Sequence, residues 1–206
     1  MSGVVAVMAG LSVQTAPTLV TFDFSSGSGS VTIPAAPISA VVEVWGGGGG
    51  GGFGLEGVGD NGGGGGGAGG YSKTTLALSG ADAAKTILYA VGVGGTGSNT
   101  PDPGNPGGTS TVSSGTYTIT PMIALGGAGG TSDGNTTQGQ GGTASGGSDT
   151  NTTGMGGGFF TQAGAAATAG VDGLQGGAGG NGGTPAVGGD RGDNGLTGRV
   201  RFVFTI

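Results

Sequence analysis

The chain of 206 residues contains no cysteine and no histidine. It therefore has no disulfide framework and no thiolate metal site, and it lacks the thiol nucleophile and the imidazole base that many enzymes use. A pair of carboxylates is another route to hydrolysis, but the 11 acidic residues are scattered singly along the chain. We expect a protein that is not an enzyme and that binds no cofactor and no metal ion.

Charged residues are also scarce, and the negative net charge does not suit nucleic acid as a partner. The chain has five basic and 11 acidic residues, for a net charge of −6, and the basic residues form no run. Proteins that bind nucleic acid need clustered Lys and Arg to neutralise phosphates. No stretch reaches the length of about 20 apolar residues that spans a bilayer. We expect neither nucleic acid as a partner nor insertion into a membrane.

Glycine, in contrast, is abundant, with 59 residues. Such a share is typical of low-complexity or disordered chains, but disorder usually also needs high charge, and only 8% of these residues are charged. We therefore expect an ordered protein. Ordering a residue costs about 1–2 kcal/mol of backbone entropy. With aromatic residues at only 5%, contacts between backbones must offset much of that cost.

Alternating apolar and polar residues predict β-strands near both ends of the glycine-rich region. In "SAVVEVW", Val42 and Val44 share one face while Glu43 lies on the other. In "GRVRFVF", Arg199 and Arg201 share a face in the same way. We predict that these two strands pair, with the charges on an exposed face. Further strands are predicted within 71–80, 85–95 and 115–127, and at most one helical turn within 80–85.

The stretch "VVEVWGGGGGGGFG" runs from a strand directly into seven glycines. Collagen is excluded because glycine does not recur strictly at every third residue. A flexible linker does not fit a region that makes up most of the chain and has strands on both sides. Gly92, Gly94 and Gly97 match the dinucleotide-binding pattern, but that site needs a helix to begin there, and the following "SNTPDPGNPGG" cannot form one.

Polyglycine-II helices are the remaining interpretation of the glycine runs. A helix of this type has three residues per turn and no internal hydrogen bonds, so its N–H and C=O groups are available to neighbouring helices. Each lateral bond contributes about 0.5–1.5 kcal/mol. In "GGAGGNGG" the non-glycine residues, Ala178 and Asn181, recur every third position and would face outward. The runs cover 46–52, 62–70, 126–130, 139–147, 154–158, 176–183 and 188–195.

The predicted fold is mostly irregular and β. It is a bundle of packed polyglycine-II helices flanked by a small antiparallel β-sheet, with very little α-helix. Residues 1–20 are interpreted as an N-terminal attachment segment and residues 21–206 as a single glycine-rich domain. Within that domain we expect strands over 21–45, polyglycine-II rods and loops over 46–195, and a closing strand over 196–206.

Three stretches resemble the glycine-rich domains of bacteriophage tail fibres and fibre-tip adhesins: "FSSGSGSVTIPAAPISAVVEVWGGGGGGG", "GGGGGGAGGYSKTTLALSGADAAKTILYAVGVGGTG" and "GRVRFVF". The resemblance covers about residues 22–206. It implies a sandwich of polyglycine-II helices whose distal loops bind a bacterial surface receptor. The chain departs from that family in having no long fibre shaft and no recognisable fibre-docking domain.

The resemblance also implies a place and partners for the protein. It would be a virion structural protein, extracellular when assembled, that is attached to other virion or fibre proteins through its N-terminal segment. Its ligand would be a protein or glycan of the bacterial surface, and a homo-oligomer is a further expectation. The alternative function is that of an extracellular glycine-rich structural or ice-binding protein, which regular ranks of Thr or Ala on one face would favour.

Recognition is expected in the loops between glycine runs, because glycine itself offers no side chains to a ligand and loops on a rigid scaffold vary freely. The adjacent rings of Phe159 and Phe160 are equally well explained as an exposed binding platform or as one buried anchor and one partner-facing ring inside an oligomer. The polar candidates, whose ordinary role is turn formation, are Asn99, Asp102, Asn105, Asp133, Asn135, Asp149 and Asn151.

Two short motifs near the C-terminus are interpreted as structural. The "RGD" of Arg191–Asp193 resembles an integrin ligand, but three residues arise easily by chance in this composition. Asp190, Asp193 and Asn194 carry oxygens that suit calcium, yet their spacing fits neither an EF-hand loop nor a nonapeptide calcium repeat. A loop or a cap is the favoured interpretation of the first motif, and a solvated turn that of the second.

Overall fold

The computed structural model describes residues 16–55, 62–132, 138–158, 177–180 and 191–206. The described part of the chain contains ten β-strands and one 3₁₀ turn, at Gly80–Asp82, and no α-helix. The fold is therefore mostly β, as the sequence predicts. All the strands belong to two antiparallel sheets of five strands each, where the sequence led us to expect one small sheet.

The first sheet joins the two ends of the chain. Its strands, in spatial order, are β1 (Leu19–Phe24), β10 (Arg199–Thr205), β3 (Ser39–Trp45), β4 (Tyr71–Ala77) and β9 (Thr150–Thr152). The terminal strand β10 lies in the interior of this sheet, between β1 and β3, and places Arg201 opposite Glu43. The predicted pairing of these two strands is confirmed.

The second sheet is formed by the middle of the chain. Its strands, in spatial order, are β2 (Ser28–Thr32), β5 (Thr86–Ala90), β6 (Ser110–Ser114), β7 (Met122–Ala124) and β8 (Ala144–Ser145). The sequence analysis missed β6, β8 and β9. These strands are short and rich in Ser, Thr and Asn, so they carry little of the apolar alternation that marks a strand.

The core lies between the two sheets and is small. It is formed by the inward faces of the alternating strands, which carry mainly Val, Ile and Phe. Val42, Val44 and Phe202 are fully buried there, on the faces that the alternation predicts. Glu43 and Trp45, on the opposite face of β3, have no exposed surface. That face is therefore buried as well. The prediction that Glu43 and its arginine lie on an exposed face is wrong.

Eight strands continue directly into, or out of, extended glycine segments. In the first sheet, β10, β3, β4 and β9 adjoin, in that order, segments 191–198, 46–53, 62–70 and 154–158. In the second sheet, β5, β6, β7 and β8 adjoin, in that order, segments 92–98, 104–108, 125–131 and 138–143. A ninth segment, 177–180, lies among them. We call these nine segments together the glycine block.

Hydrogen bonds in the glycine block recur every third residue. The N–H groups of Gly46, Gly49 and Gly52 donate to segment 62–70, with N···O distances of 2.8 to 2.9 Å. Of the next residues in each triplet, Gly47 and Gly50 donate to segment 104–108 instead. Gly48 and Gly51 donate to segment 191–198. Three successive residues thus point in three different directions.

Segment 46–53 is surrounded by six neighbours. Its N–H groups donate to segments 62–70, 104–108 and 191–198, and its carbonyl groups accept from segments 92–98, 125–131 and 177–180. Such packing is possible only without side chains. A Cβ atom added to Gly49 would overlap the carbonyl oxygen of Ala128, and one added to Gly66 would overlap the carbonyl oxygen of Gly49.

Burial follows the same three-residue repeat at the surface of the block. In segment 92–98, Gly92, Gly95 and Ser98 are buried, while Val93 and Thr96 are exposed. Side chains are therefore accommodated at the outward position of each triplet. Ala128 is exposed, as an outward position should be, whereas Ala68, inside the block, is fully buried.

Candidate functional site

The strand directions define two ends of the molecule, which we call the base and the tip. The base is formed by residues 33–38, 78–85 and 115–121, which connect strands at the end of the sheets remote from the glycine block. The backbones of Thr18 and Ile206 are hydrogen-bonded to each other at the base. The tip is the far end of the glycine block. Its described residues include Phe53, Asn99–Pro103, Thr131–Ser132 and Arg191–Asp193.

The loop 99–103 is the longest described connection at the tip, and all five of its residues are exposed. Internal hydrogen bonds hold its shape. The Thr100 hydroxyl donates to Oδ2 of Asp102 at 2.8 Å, and the Ser98 hydroxyl donates to the Thr100 carbonyl at 2.8 Å. Two prolines, Pro101 and Pro103, further restrict the backbone. The loop therefore presents Asn99 and Asp102 in a defined arrangement.

Two asparagines near the tip have mainly structural contacts. Asn105 lies in segment 104–108, where its carbonyl accepts the N–H of Gly50 at 2.9 Å and its amide donates to the Thr96 hydroxyl at 2.6 Å. The side chain of Asn194 accepts the N–H of Gly97 at 2.8 Å. Side-chain amides thus complete hydrogen bonds at the edge of the glycine block.

Asp149 and Asn151 lie away from the tip, at the edge of the first sheet. Asn151 belongs to β9, and its Oδ1 accepts the Ser72 hydroxyl at 2.8 Å. The Thr75 hydroxyl donates to Asp149 at 2.7 Å and holds the pKa of that carboxyl below its ordinary value. The structure therefore separates these two residues from Asn99 and Asp102, and it engages both in bonds that support the sheet.

The remaining predicted site residues, Phe159, Phe160, Asp133 and Asn135, lie outside the described residues.

A buried polar cluster behind the first sheet was not anticipated. The Tyr71 hydroxyl donates to Oε1 of Glu43 at 2.7 Å, and Nη1 of Arg201 lies 3.4 Å from Oε2 of the same carboxylate. Burial and the neighbouring carboxylate raise the pKa of the Tyr71 hydroxyl above its ordinary value. Because the cluster is closed to solvent, it stabilises the sheet and offers no access to a ligand.

A surface groove between segments 138–143 and 154–158 is a second feature that sequence reasoning missed. It is lined by Gln138, Gln140, Gly141, Thr153, Gly154 and Gly156. The only sequence signal is the pair of glutamines on either side of Gly139, which interrupts a run of small residues. Without the neighbouring segment, nothing shows that these two glutamines line a groove.

The glycine-rich domain family matches residues 24–203. The chain belongs to this family. The match includes both sheets and the glycine block, from the last residue of β1 to the middle of β10. No curated protein matches the chain.

The "RGD" motif of this glycine-rich domain is part of the glycine block. Arg191 and Asp193 are exposed, but Gly192 is buried, and its N–H donates to the Ser98 carbonyl at 2.9 Å. The motif is thus extended and packed against a neighbouring segment. The sequence favoured a loop or a cap for this motif, and the structure places it at the start of segment 191–198.

The described ranges of the domain contain neither a metal-binding cluster nor a membrane-spanning helix. No group of three or more acidic residues there is placed to hold a metal ion. Of the possible calcium ligands, Asp190 lies outside the described residues. In the same ranges, no helix is long and apolar enough to cross a membrane.

Proposed function

We propose that the glycine block of this domain is a bundle of polyglycine-II helices. Three observations support the assignment. The hydrogen bonds of segment 46–53 repeat every third residue, six segments surround it, and the burial of segment 92–98 has the same period. A helix with three residues per turn accounts for all three. The glycines at the contacts leave no space for a Cβ atom.

We further propose that the protein is a structural protein of a bacteriophage tail fibre or fibre tip that binds a bacterial surface receptor. The observation that carries this proposal is the position of loop 99–103. It is an exposed, internally bonded loop at the end of a bundle whose described segments are cross-linked by many backbone hydrogen bonds. Loops on rigid scaffolds are the usual sites of recognition.

The opposite end of the molecule suits attachment. Thr18 lies at the base, where it bonds to Ile206 in both directions at 2.9 Å. An N-terminal segment that docks onto another virion or fibre protein would therefore hold the molecule by its base. The tip, with Asn99 and Asp102, would then point away from the particle and toward the host cell.

The alternative, an ice-binding or purely structural protein, finds less support in the outward positions of the block. Ice recognition would need a repeated side chain along one face. Segment 92–98 instead presents Val93 and Thr96, and segment 125–131 presents Leu125 and Ala128. The outward side chains of these two segments are a mixture of aliphatic and polar residues that does not repeat.

The proposal is tested by measuring how the fluorescently labelled protein binds to a panel of bacterial strains. The Asn99→Arg variant adds a long, charged side chain to the tip without removing any hydrogen bond that holds loop 99–103. Its matched control, Ala81→Arg, adds the same side chain at an exposed position of the base. We expect Asn99→Arg to lose cell binding and Ala81→Arg to retain it, with unchanged thermal unfolding of both.

Two outcomes would count against receptor binding at the tip. If the labelled protein adheres to none of the strains, the adhesin function fails and a structural role replaces it. If Asn99→Arg binds cells as well as Ala81→Arg does, loop 99–103 takes no part in recognition.

A further inference from the structure

The groove between segments 138–143 and 154–158 differs from the other contacts of the glycine block. On their inner side, these two segments hold segment 62–70. It accepts the N–H groups of Gly139 and Gly142 and donates to the carbonyls of Met155 and Gly158, with N···O distances of 2.9 to 3.1 Å. On their outer side, the same two segments face solvent. The groove therefore exposes backbone groups at the surface of the block to a ligand.

The space around Gly156 shows that the groove is not filled by other atoms of the part of the chain that the structure describes. A Cβ atom added to it would meet no atom closer than 3.6 Å, which is ordinary van der Waals contact. Its neighbours Gly154 and Gly157, in contrast, have no space for a Cβ atom. The packing of this chain thus explains glycine at 154 and 157 but not at 156. An exposed glycine there allows a ligand to approach the backbone closely.

The chemistry of the groove is neutral and hydrogen-bonding. Gln138, Gln140 and Thr153 supply side-chain donors and acceptors, and none of the lining residues that the structure describes is charged. In the described part of the chain, the N–H groups of Gly141 and Gly156 have no hydrogen-bond partner. Phosphates and carboxylates would find no counter-charge in this groove. Hydroxyl groups, which donate and accept at once, match this set of amides and backbone groups.

We propose that this groove binds one or two neutral sugar units of a bacterial surface polysaccharide. Its volume of about 270 Å³ is just below the range of about 300–1,000 Å³ for sites that enclose a whole small molecule. A groove of that size holds a short stretch of a longer chain. This inference rests on the proposed receptor binding and adds to it a second contact, on the side of the block and separate from loop 99–103.

The test measures the affinity of the full chain for two probes by isothermal titration calorimetry. One probe is the polysaccharide fraction released from a strain that the protein binds, and the other is a panel of neutral oligosaccharides of glucose, galactose, mannose and N-acetylglucosamine. Gly156→Val fills the groove at a position with space for a side chain. Gly80→Val is the matched control, because a Cβ atom there meets nothing within 4 Å.

We expect at least one probe to bind, Gly156→Val to weaken that binding more than about tenfold, and Gly80→Val to leave it unchanged. Thermal unfolding should be the same for both variants. The inference is overturned if neither probe binds, or if Gly156→Val binds as tightly as the unmodified protein.

The two proposals can fail separately. If Asn99→Arg abolishes cell binding while neither carbohydrate probe binds, the tip recognises a different receptor and only the groove inference is wrong. If no strain is bound but the oligosaccharides are, with the expected loss in Gly156→Val, the groove stands without the adhesin function.

Discussion

Arg201 lies directly opposite Glu43 on neighbouring antiparallel strands, and both residues are buried. Their side chains approach to 3.4 Å between Nη1 and Oε2, and the Tyr71 hydroxyl donates to the other oxygen of the carboxylate. Because Glu43 comes from the strand that enters the glycine block and Arg201 from the strand that ends the chain, this contact joins the two halves of the first sheet.

Glu43→Ala should destabilise the protein strongly. Removing one partner of a buried ion pair leaves the other charge without compensation, and such changes typically cost about 3–5 kcal/mol. The free energy of unfolding, measured by chemical denaturation, gives the result. Lys85→Ala, which breaks the partly exposed pair with Asp82 at the base, serves as a control and should have little effect. Equal effects of the two changes would show that the buried pair has no special role.

Gly49→Ala should also destabilise the protein, for a steric reason. Its Cβ atom would overlap the backbone carbonyl of Ala128, and backbone atoms within the block cannot move without breaking other hydrogen bonds. Overpacking usually costs about 1–3 kcal/mol and sometimes more. Gly156→Ala adds the same methyl group where there is space for it. The difference between their unfolding temperatures measures the cost, and two similar temperatures would contradict close packing of the block.

Deletion of residues 199–206 should prevent soluble folding. This segment contains the whole of β10, which lies between β1 and β3 and carries the buried side chains of Val200, Phe202 and Phe204. Its loss would leave β1 without a partner in the sheet and open one side of the core. Soluble yield and circular dichroism test this expectation, with deletion of Ile206 alone as the control. A truncated protein that unfolds at the original temperature would refute it.

Stability should fall at alkaline pH because of Tyr71. Its pKa in the folded protein is raised above the ordinary value of 10.0, by burial and by its bond to Glu43. A raised pKa means that the folded protein keeps a proton that the unfolded chain loses. The contribution of Tyr71 is therefore complete below pH 10.0 and is lost as the pH rises from that value through the higher folded pKa.

Two measurements follow this titration. Phenolate absorbance should show that one of the three tyrosines ionises only when the protein unfolds. In Tyr71→Phe, the free energy of unfolding should depend less on pH in the alkaline range than it does in the unmodified protein. If all three tyrosines ionise in the folded protein, or if the pH dependence of Tyr71→Phe is unchanged, then Tyr71 does not resist ionisation in the way that its buried contacts imply.

The sequence by itself determined the β-strands with apolar alternation, the very low content of α-helix and the pairing of the strands around Glu43 and Arg201. These features depend on local patterns, in which each side chain reports which face of the strand is buried. The need for glycine can be read from local sequence in the same way. A run such as 46–52 fits no ordinary strand, helix or turn.

Only the tertiary structure decided which glycine segments are neighbours, because glycine has no side chain to specify a partner and every run offers the same backbone groups. It also decided that Glu43 is buried, since the covering of both faces of a sheet cannot be read from one strand. The tertiary structure also separated Asp149 and Asn151 from Asn99 and Asp102. Loop residues of similar composition are placed at the tip or at a sheet edge by the pairing of distant strands, which local sequence does not encode.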